Sequence, residues 1–147
     1  MVIKIKELTV IDLTKYGVDF YKTLDNLVPK NKFDLIKAKK ILKEINSCNG
    51  HVFIAVMDNK TIVGTTTVLL ERKFIRGGKL SSHIEDVSIR KGYEGKGIAS
   101  QILEHCVTYA KKKKCYKIIL DCKKELIPFY SKFGFKDTEI GMKLYLK

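Results

Sequence analysis

The chain has 147 residues, 45% of them hydrophobic, with no polar tract or Pro/Gly/Ser-rich linker, which is enough for one sizeable core and short for two. Its formal charge of +13 favours polyanionic partners (nucleic acid, an anionic membrane or phosphorylated small molecules) over polycations. No apolar run approaches a transmembrane helix or a signal peptide, and Cys48, Cys106, Cys115 and Cys122 show neither Cys-x-x-Cys pairing nor metal-like spacing with His51, His83 or His105, so the expectation is a cytoplasmic domain with reduced thiols and no metal.

In chain order, residues 2–8 alternate apolar and charged and predict a strand. Asp12 offers an N-cap to a helix reaching Leu27, with Leu13, Tyr16, Phe20 and Leu24 three and four apart, and Pro29 and Asn31 break it. A second helix over 33–47 has Leu35, Ile36, Ile41, Leu42 and Ile45 as apolar members, and Asn49-Gly50 stops it. Residues 51–57 read as a strand, Asp58-Asn59-Lys60 as a hairpin-like turn and 61–74 as its return strand. Gly77-Gly78 marks another turn. Residues 82–89 alternate again, with Ile84, Val87 and Ile89 apolar, and the slip at Glu85-Asp86 predicts a bulge, a feature that gathers near active sites.

A glycine-rich turn follows, then a helix with Ile98, Ile102, Cys106 and Tyr109 on one face. The lysine run 111–114 falls where cations favour a helix C-terminus, which accounts for it without a nucleic-acid patch. Residues 117–122 form a strand, Phe129, Tyr130 and Phe133 a short helix ended by Gly134, and 142–146 a last strand. The sum is an α/β fold: a mixed, mostly antiparallel sheet flanked by helices, with one strand–helix–strand crossover, in one domain over 1–147.

The turn reads Lys91-Gly92-Tyr93-Glu94-Gly95-Lys96-Gly97-Ile98-Ala99-Ser100. Glycines between a strand and a helix let backbone N–H groups converge, and the helix N-terminus adds partial positive charge, which suits a pyrophosphate. The same turn serves equally as a plain helix cap. It is neither a Walker loop nor a dinucleotide fingerprint.

The order strand, glycine turn, helix, strand, followed by Phe129-Tyr130-Ser131-Lys132-Phe133-Gly134-Phe135, resembles the GNAT superfamily of acyl-coenzyme A N-acyltransferases. Within it, Glu71-Arg72-Lys73-Phe74-Ile75, His83-Ile84-Glu85-Asp86-Val87 and Cys115-Tyr116-Lys117-Ile118-Ile119-Leu120-Asp121-Cys122 resemble the glucosamine 6-phosphate N-acetyltransferase family. The resemblance covers residues 62–147 and is loose before them.

It implies transfer of acetyl from acetyl-CoA to the 2-amine of glucosamine 6-phosphate, towards UDP-N-acetylglucosamine, by a homodimer with shared active sites. Val87, Ser88 and Ile89 would hold pantetheine and the acetyl carbonyl through the backbone. Gly95, Lys96, Gly97, Ile98, Ala99 and Ser100 would hold the pyrophosphate, and Tyr130, Ser131 and Lys132 would lie along the thioester and cofactor. Lys73, Phe74, Ile75, Arg76, Glu85, Asp86, Val87, Tyr116, Lys117 and Asp121 would contact the sugar phosphate, with Tyr116, Lys117 and Asp121 acting across the dimer. The implied chemistry is direct attack: N–H groups near Val87 stabilise the oxyanion, Tyr130 protonates sulfur, and Asp121 or Glu85-Asp86 orients and deprotonates the amine.

The chain departs from the family at four positions. Glu94 stands where Gln or Arg is usual, Leu126 for an Asn, Val28 for a Thr, and Tyr145 for an Arg with Lys143 and Lys147 nearby. Structural roles stand beside the functional ones: Tyr130 as core, Glu85-Asp86 as a solvated strand edge, Cys122 as packing, His83 as strand surface. The remaining alternatives are a GNAT enzyme for another small amine or peptide, and a basic nucleic-acid-binding module, for which the chain lacks aromatic and basic interleaving.

Overall fold

The computed structural model describes residues 1–29, 32–57 and 59–147. The helix break expected at Asn31 and the first turn residue expected at Asp58 lie outside them. Strands β1 (Ile3–Glu7), β2 (Gly50–Met57), β3 (Ile62–Arg72), β4 (Leu80–Ile89) and β5 (Lys117–Leu120) form one sheet in that order. β1 to β4 pair antiparallel, whereas β4 and β5 run parallel. Parallel neighbours need a crossover, and helix α4 (Ile98–Lys112) supplies it.

The two faces of the sheet carry separate cores. On one, Ile98, Ile102, Leu103 and Cys106 of α4 pack with Tyr130 on Phe53, Ala55, Val63, Val68 and Ile84. On the other, α1 (Val10–Leu24) and α2 (Leu35–Ser47) set Leu13, Phe20, Ala38 and Leu42 against Val52, Ile54 and Ile62. Successive strand residues point to opposite faces, so β2, covered on both, reads as an unbroken apolar run.

The first helix is capped differently from the expectation. Thr9 is its N-cap: the Asp12 N–H donates to Thr9 Oγ1 at 3.2 Å, and the Asp12 carboxylate accepts the Thr9 N–H at 2.9 Å, so Asp12 is the third-position member of a capping box. The helix ends at Leu24, not Leu27, where the Leu27 N–H takes the tighter three-residue bond to the Leu24 carbonyl. Asp34 caps α2. Ile36 is 84% exposed, since at about 100° per residue it lies opposite buried Ala38.

Between β3 and β4 lies the short turn α3 (Ile75–Gly78). Glu85 opposes Thr67 and Ser88 opposes Thr65, so Asp86 and Val87 together face Thr66. That is the expected bulge, with Asp86 in the left-handed region at φ 51°. After β5 come a 3-10 turn (Lys124–Leu126) and α5 (Ile127–Ser131).

The last expected strand is absent among the described residues: 135–147 holds neither helix nor strand. Ile140, Met142, Leu144 and Leu146 are 84–93% exposed. A strand needs a neighbouring ladder for its backbone groups, and this segment pairs with none of the five strands.

Candidate active site

The β4–β5 ladder runs from Ser81 opposite Lys117 to Ile84 opposite Leu120 and then stops, while β4 continues to Ile89. No described strand pairs with that side of β4 beyond Ile84. An unpaired edge is a template for an extended amide chain, and the bulge at Asp86 re-aims its backbone. Of the three residues expected to offer backbone groups here, Ser88 has its side chain buried and donating to the Thr23 carbonyl. Only its main chain reaches the edge.

The edge leads into the glycine turn, where Gly92, Gly95 and Gly97 have φ of 87°, 72° and 76°. A Cβ at each would meet nothing within 4 Å, so the left-handed backbone, not crowding, calls for glycine. Gly97 is the N-cap of α4 and supplies no side-chain cap. The first N–H groups of the helix, on Ile98, Ala99 and Ser100, are therefore open to a ligand. Ile98 contributes backbone only, because its side chain is buried in the core. Lys96 is exposed, with its ammonium 4.8 Å from the Tyr93 ring. An uncapped helix start, an exposed glycine turn and a flanking cation fit a pyrophosphate.

Glu94 does not compete for that position. One carboxylate oxygen accepts the Gly92 N–H at 2.7 Å and the other accepts from Asn26 Nδ2 at 3.0 Å. Its own backbone N–H, then Asn26, hold the carboxyl below the usual range.

Tyr130 on α5 is 7% exposed and packs edge-on against Phe129 at 5.0 Å and Phe135 at 6.0 Å. Burial raises its phenol above the ordinary value, with Cys122 and Cys106 adding to the shift. The hydroxyl thus keeps its proton at neutral pH and has no partner among the described residues. Burial pushes the Cys106 thiol up to about 12 and, with Asp137 and Asp121, raises Cys122, so neither is an activated nucleophile. Ser131 and Lys132 are exposed beside Tyr130. Asp121 and Glu85 each follow the last paired residue of their parallel strands, which sets the two carboxylates at the mouth of the split. A Cβ at Gly141 would lie 3.1 Å from the Asp121 carboxylate oxygen, so the C-terminal tail passes there.

The other expected substrate residues gather elsewhere. Lys73 pairs with Glu71 at 2.8 Å, and Glu71 also holds His83 Nε2 at 3.0 Å. Arg76 and Lys117 lie 5.8 and 5.6 Å from the Tyr116 ring, with Phe74 and Ile75 exposed beside them. Lys117 opens β5 and Asp121 follows its end, a separation of about 13 Å along a strand. Within one chain, the cationic cluster and the Glu85–Asp121–Tyr130 end remain apart.

Sequence reasoning missed Asp19, Thr23, Asn26 and Arg90. Asp19 holds Arg90, Thr23 holds Ser88, and Asn26 Nδ2 reaches the Ile89 carbonyl at 2.5 Å. The available signal was a polar stripe spaced i, i+4, i+7 along α1 and the turn after it. Among the described residues no cluster fits a metal ion, and no helix is long and apolar enough to cross a membrane.

A split parallel strand pair beside an uncapped, glycine-led helix defines the class. Residues 18–135 match the Acetyltransferase (GNAT) family, and the chain belongs to it. It is 31% identical to the glucosamine 6-phosphate N-acetyltransferase of Arabidopsis thaliana, over 97% of this chain and 95% of that one. It is 36% identical to the probable glucosamine 6-phosphate N-acetyltransferase 2 of Oryza sativa subsp. japonica, over 66% of this chain, and spans only 61% of the rice protein. The crystal structure of the Arabidopsis glucosamine-6-phosphate N-acetyltransferase superposes with a TM-score of 0.90 at 28% identity, covering both chains in full.

Proposed function

We propose that the 147 residues form one acetyl-CoA-dependent N-acetyltransferase domain whose acceptor is the 2-amine of glucosamine 6-phosphate, a step towards UDP-N-acetylglucosamine. The observation that carries this reading is the open edge of β4 beyond Ile84, which runs into the uncapped start of α4. Similarity to the Arabidopsis enzyme along nearly the whole chain supports the acceptor.

When bound, acetyl-CoA supplies an acetyl group on a thioester. The N–H groups of Gly97 to Ser100, with Lys96, hold the pyrophosphate. Backbone groups of Val87 and Ile89 would hold the pantetheine amides, and the Val87 N–H would stabilise negative charge developing on the acetyl oxygen. Tyr130 keeps a proton for the departing sulfur, while Asp121 and Glu85 orient the amine and receive its proton. Attack is direct, supported by the unactivated thiols of Cys106 and Cys122. Orientation along β4 supplies much of the rate, since alignment alone is worth roughly 7–11 kcal/mol.

The sugar phosphate requires cations, and Arg76 and Lys117 beside Tyr116, with Lys73 on Glu71, are those cations. Their separation from Asp121 within one chain supports a homodimer in which a second copy completes each site. The exposed alternating tail supports the same arrangement. Four free cysteines are in keeping with a cytoplasmic setting.

The test is thiol release from acetyl-CoA across glucosamine 6-phosphate, glucosamine, spermidine and a peptide. Turnover should be highest with the sugar phosphate. Turnover with another amine and none with the sugar phosphate would remove the acceptor assignment, and none with any amine would remove the activity.

A further inference from the structure

The segment leaving β4 is gripped by one stripe of α1 and the turn after it. Asp19, Thr23 and Asn26 recur at i, i+4 and i+7, and each takes a successive piece of chain. The Thr23 carbonyl accepts the Ser88 hydroxyl, Asn26 Nδ2 donates to the Ile89 carbonyl at 2.5 Å, and the Asp19 carboxylate holds the Arg90 guanidinium. Asp19 is itself fixed by the Ile62 N–H at 2.6 Å. Up to Arg90 the backbone is therefore tied to a packed helix.

Beyond Arg90 the chain enters a stretch with three glycines at positive φ and open space around each. Such a stretch loses much conformational freedom when it is ordered around a ligand. One side chain within it reaches back: Glu94 accepts the Gly92 N–H at 2.7 Å and the Asn26 amide at 3.0 Å. Asn26 thus bonds both the strand end and the turn, and Glu94 closes residues 92–94 against it.

We propose that Asn26 and Glu94 are a positioning pair that pre-sets the glycine turn for the pyrophosphate, and that Glu94 strengthens coenzyme binding despite its negative charge. The proposal rests on the acetyl-CoA reading above. Pre-ordering a mobile segment lowers the entropy lost on binding. The carboxylate is spent on N–H donors within the turn and on Asn26, so its charge is partly met before any phosphate arrives. Neither residue is assigned to touch the ligand.

Both side chains are exposed, so their substitution leaves the cores intact. The experiment measures the dissociation constant for CoA by calorimetry on the full chain, together with amide exchange at Gly92 in the free protein. The variants are Glu94→Ala, Asn26→Ala, the double variant and Glu94→Gln. Each alanine variant should weaken CoA about three- to tenfold, the scale of one or two hydrogen bonds. The double variant should lose less than the product of the two, because the residues act as a unit. Gly92 exchange should accelerate in Glu94→Ala without ligand and be restored in Glu94→Gln, which keeps an acceptor for that N–H. KM for acetyl-CoA should rise while kcat and the melting temperature hold. Unchanged or tighter CoA binding by Glu94→Ala overturns the pairing, as do fully additive losses or unaltered Gly92 exchange. Wild-type protein that binds no CoA overturns the acetyl-CoA reading and the proposal with it, a result distinct from a wild type that binds and a Glu94→Ala variant that binds equally well.

Discussion

Tyr130 combines a ring committed to packing with a hydroxyl that is not. Its edge-on contacts with Phe129 and Phe135 survive replacement by Phe, so Tyr130→Phe isolates the oxygen. If that oxygen protonates the departing sulfur, kcat should fall about 100-fold or more, with the CoA dissociation constant and the unfolding midpoint little changed. Steady-state kinetics beside calorimetry read the difference. Burial raises the phenol, so its ionisation should cost no activity below its ordinary value of about 10. An activity loss titrating near neutral pH belongs to another group. This residue is legible in the chain because it sits inside the Phe129–Phe135 run. Glu94 is legible only as a departure from its family. Its identity says that a carboxylate is present, while its role depends on Asn26, 68 positions away, and a one-dimensional pattern does not carry that pairing.

Helix α1 shows how far local pattern reaches at the scale of an element. Its apolar spacing announces a helix, but two candidates compete for the cap. Thr9 and Asp12 satisfy each other reciprocally, and either alone resembles a cap. Asp12 is 5% exposed and also pairs with Lys6 at 2.5 Å. Burial pushes its carboxyl up, but the bonds from Lys6 and Thr9 outweigh this and leave it below the usual value. A depressed folded pKa adds stability that is present above the unfolded value, about 3.9, and is lost as pH falls through the folded one. Asp12→Asn should therefore cost about 1–2 kcal/mol at pH 7, and the gap to wild type should narrow as pH falls below the unfolded value of about 3.9. Urea unfolding across that range checks this. The bulge at Asp86 was readable because a slip in alternation is itself a period-two signal. The exposure of Ile36 was not, since hydrophobicity alone does not say which face of α2 meets the sheet.

At the scale of the molecule, the tail asks for more than one chain provides. Residues 142–146 alternate as a strand does, but alternation specifies a face and not a neighbour, and the expected strand pairs with none of the five. Burying Ile140, Met142, Leu144 and Leu146 is worth about 6–12 kcal/mol per tail at roughly 1.5–3 kcal/mol each, an upper estimate. Association costs on the order of 4–15 kcal/mol, a range that the gain from one tail only overlaps, whereas two reciprocal tails in a twofold dimer double the gain against a single association cost. Against this stands the repulsion of two chains of charge +13. Deleting residues 138–147 should therefore give a monomer by light scattering that still binds CoA through the turn and α4, but no longer acetylates the sugar phosphate. Salt should strengthen the wild-type dimer by screening its like charges. A truncated protein that stays dimeric would place the interface elsewhere, and one that is monomeric yet fully active would show that each chain completes its own site.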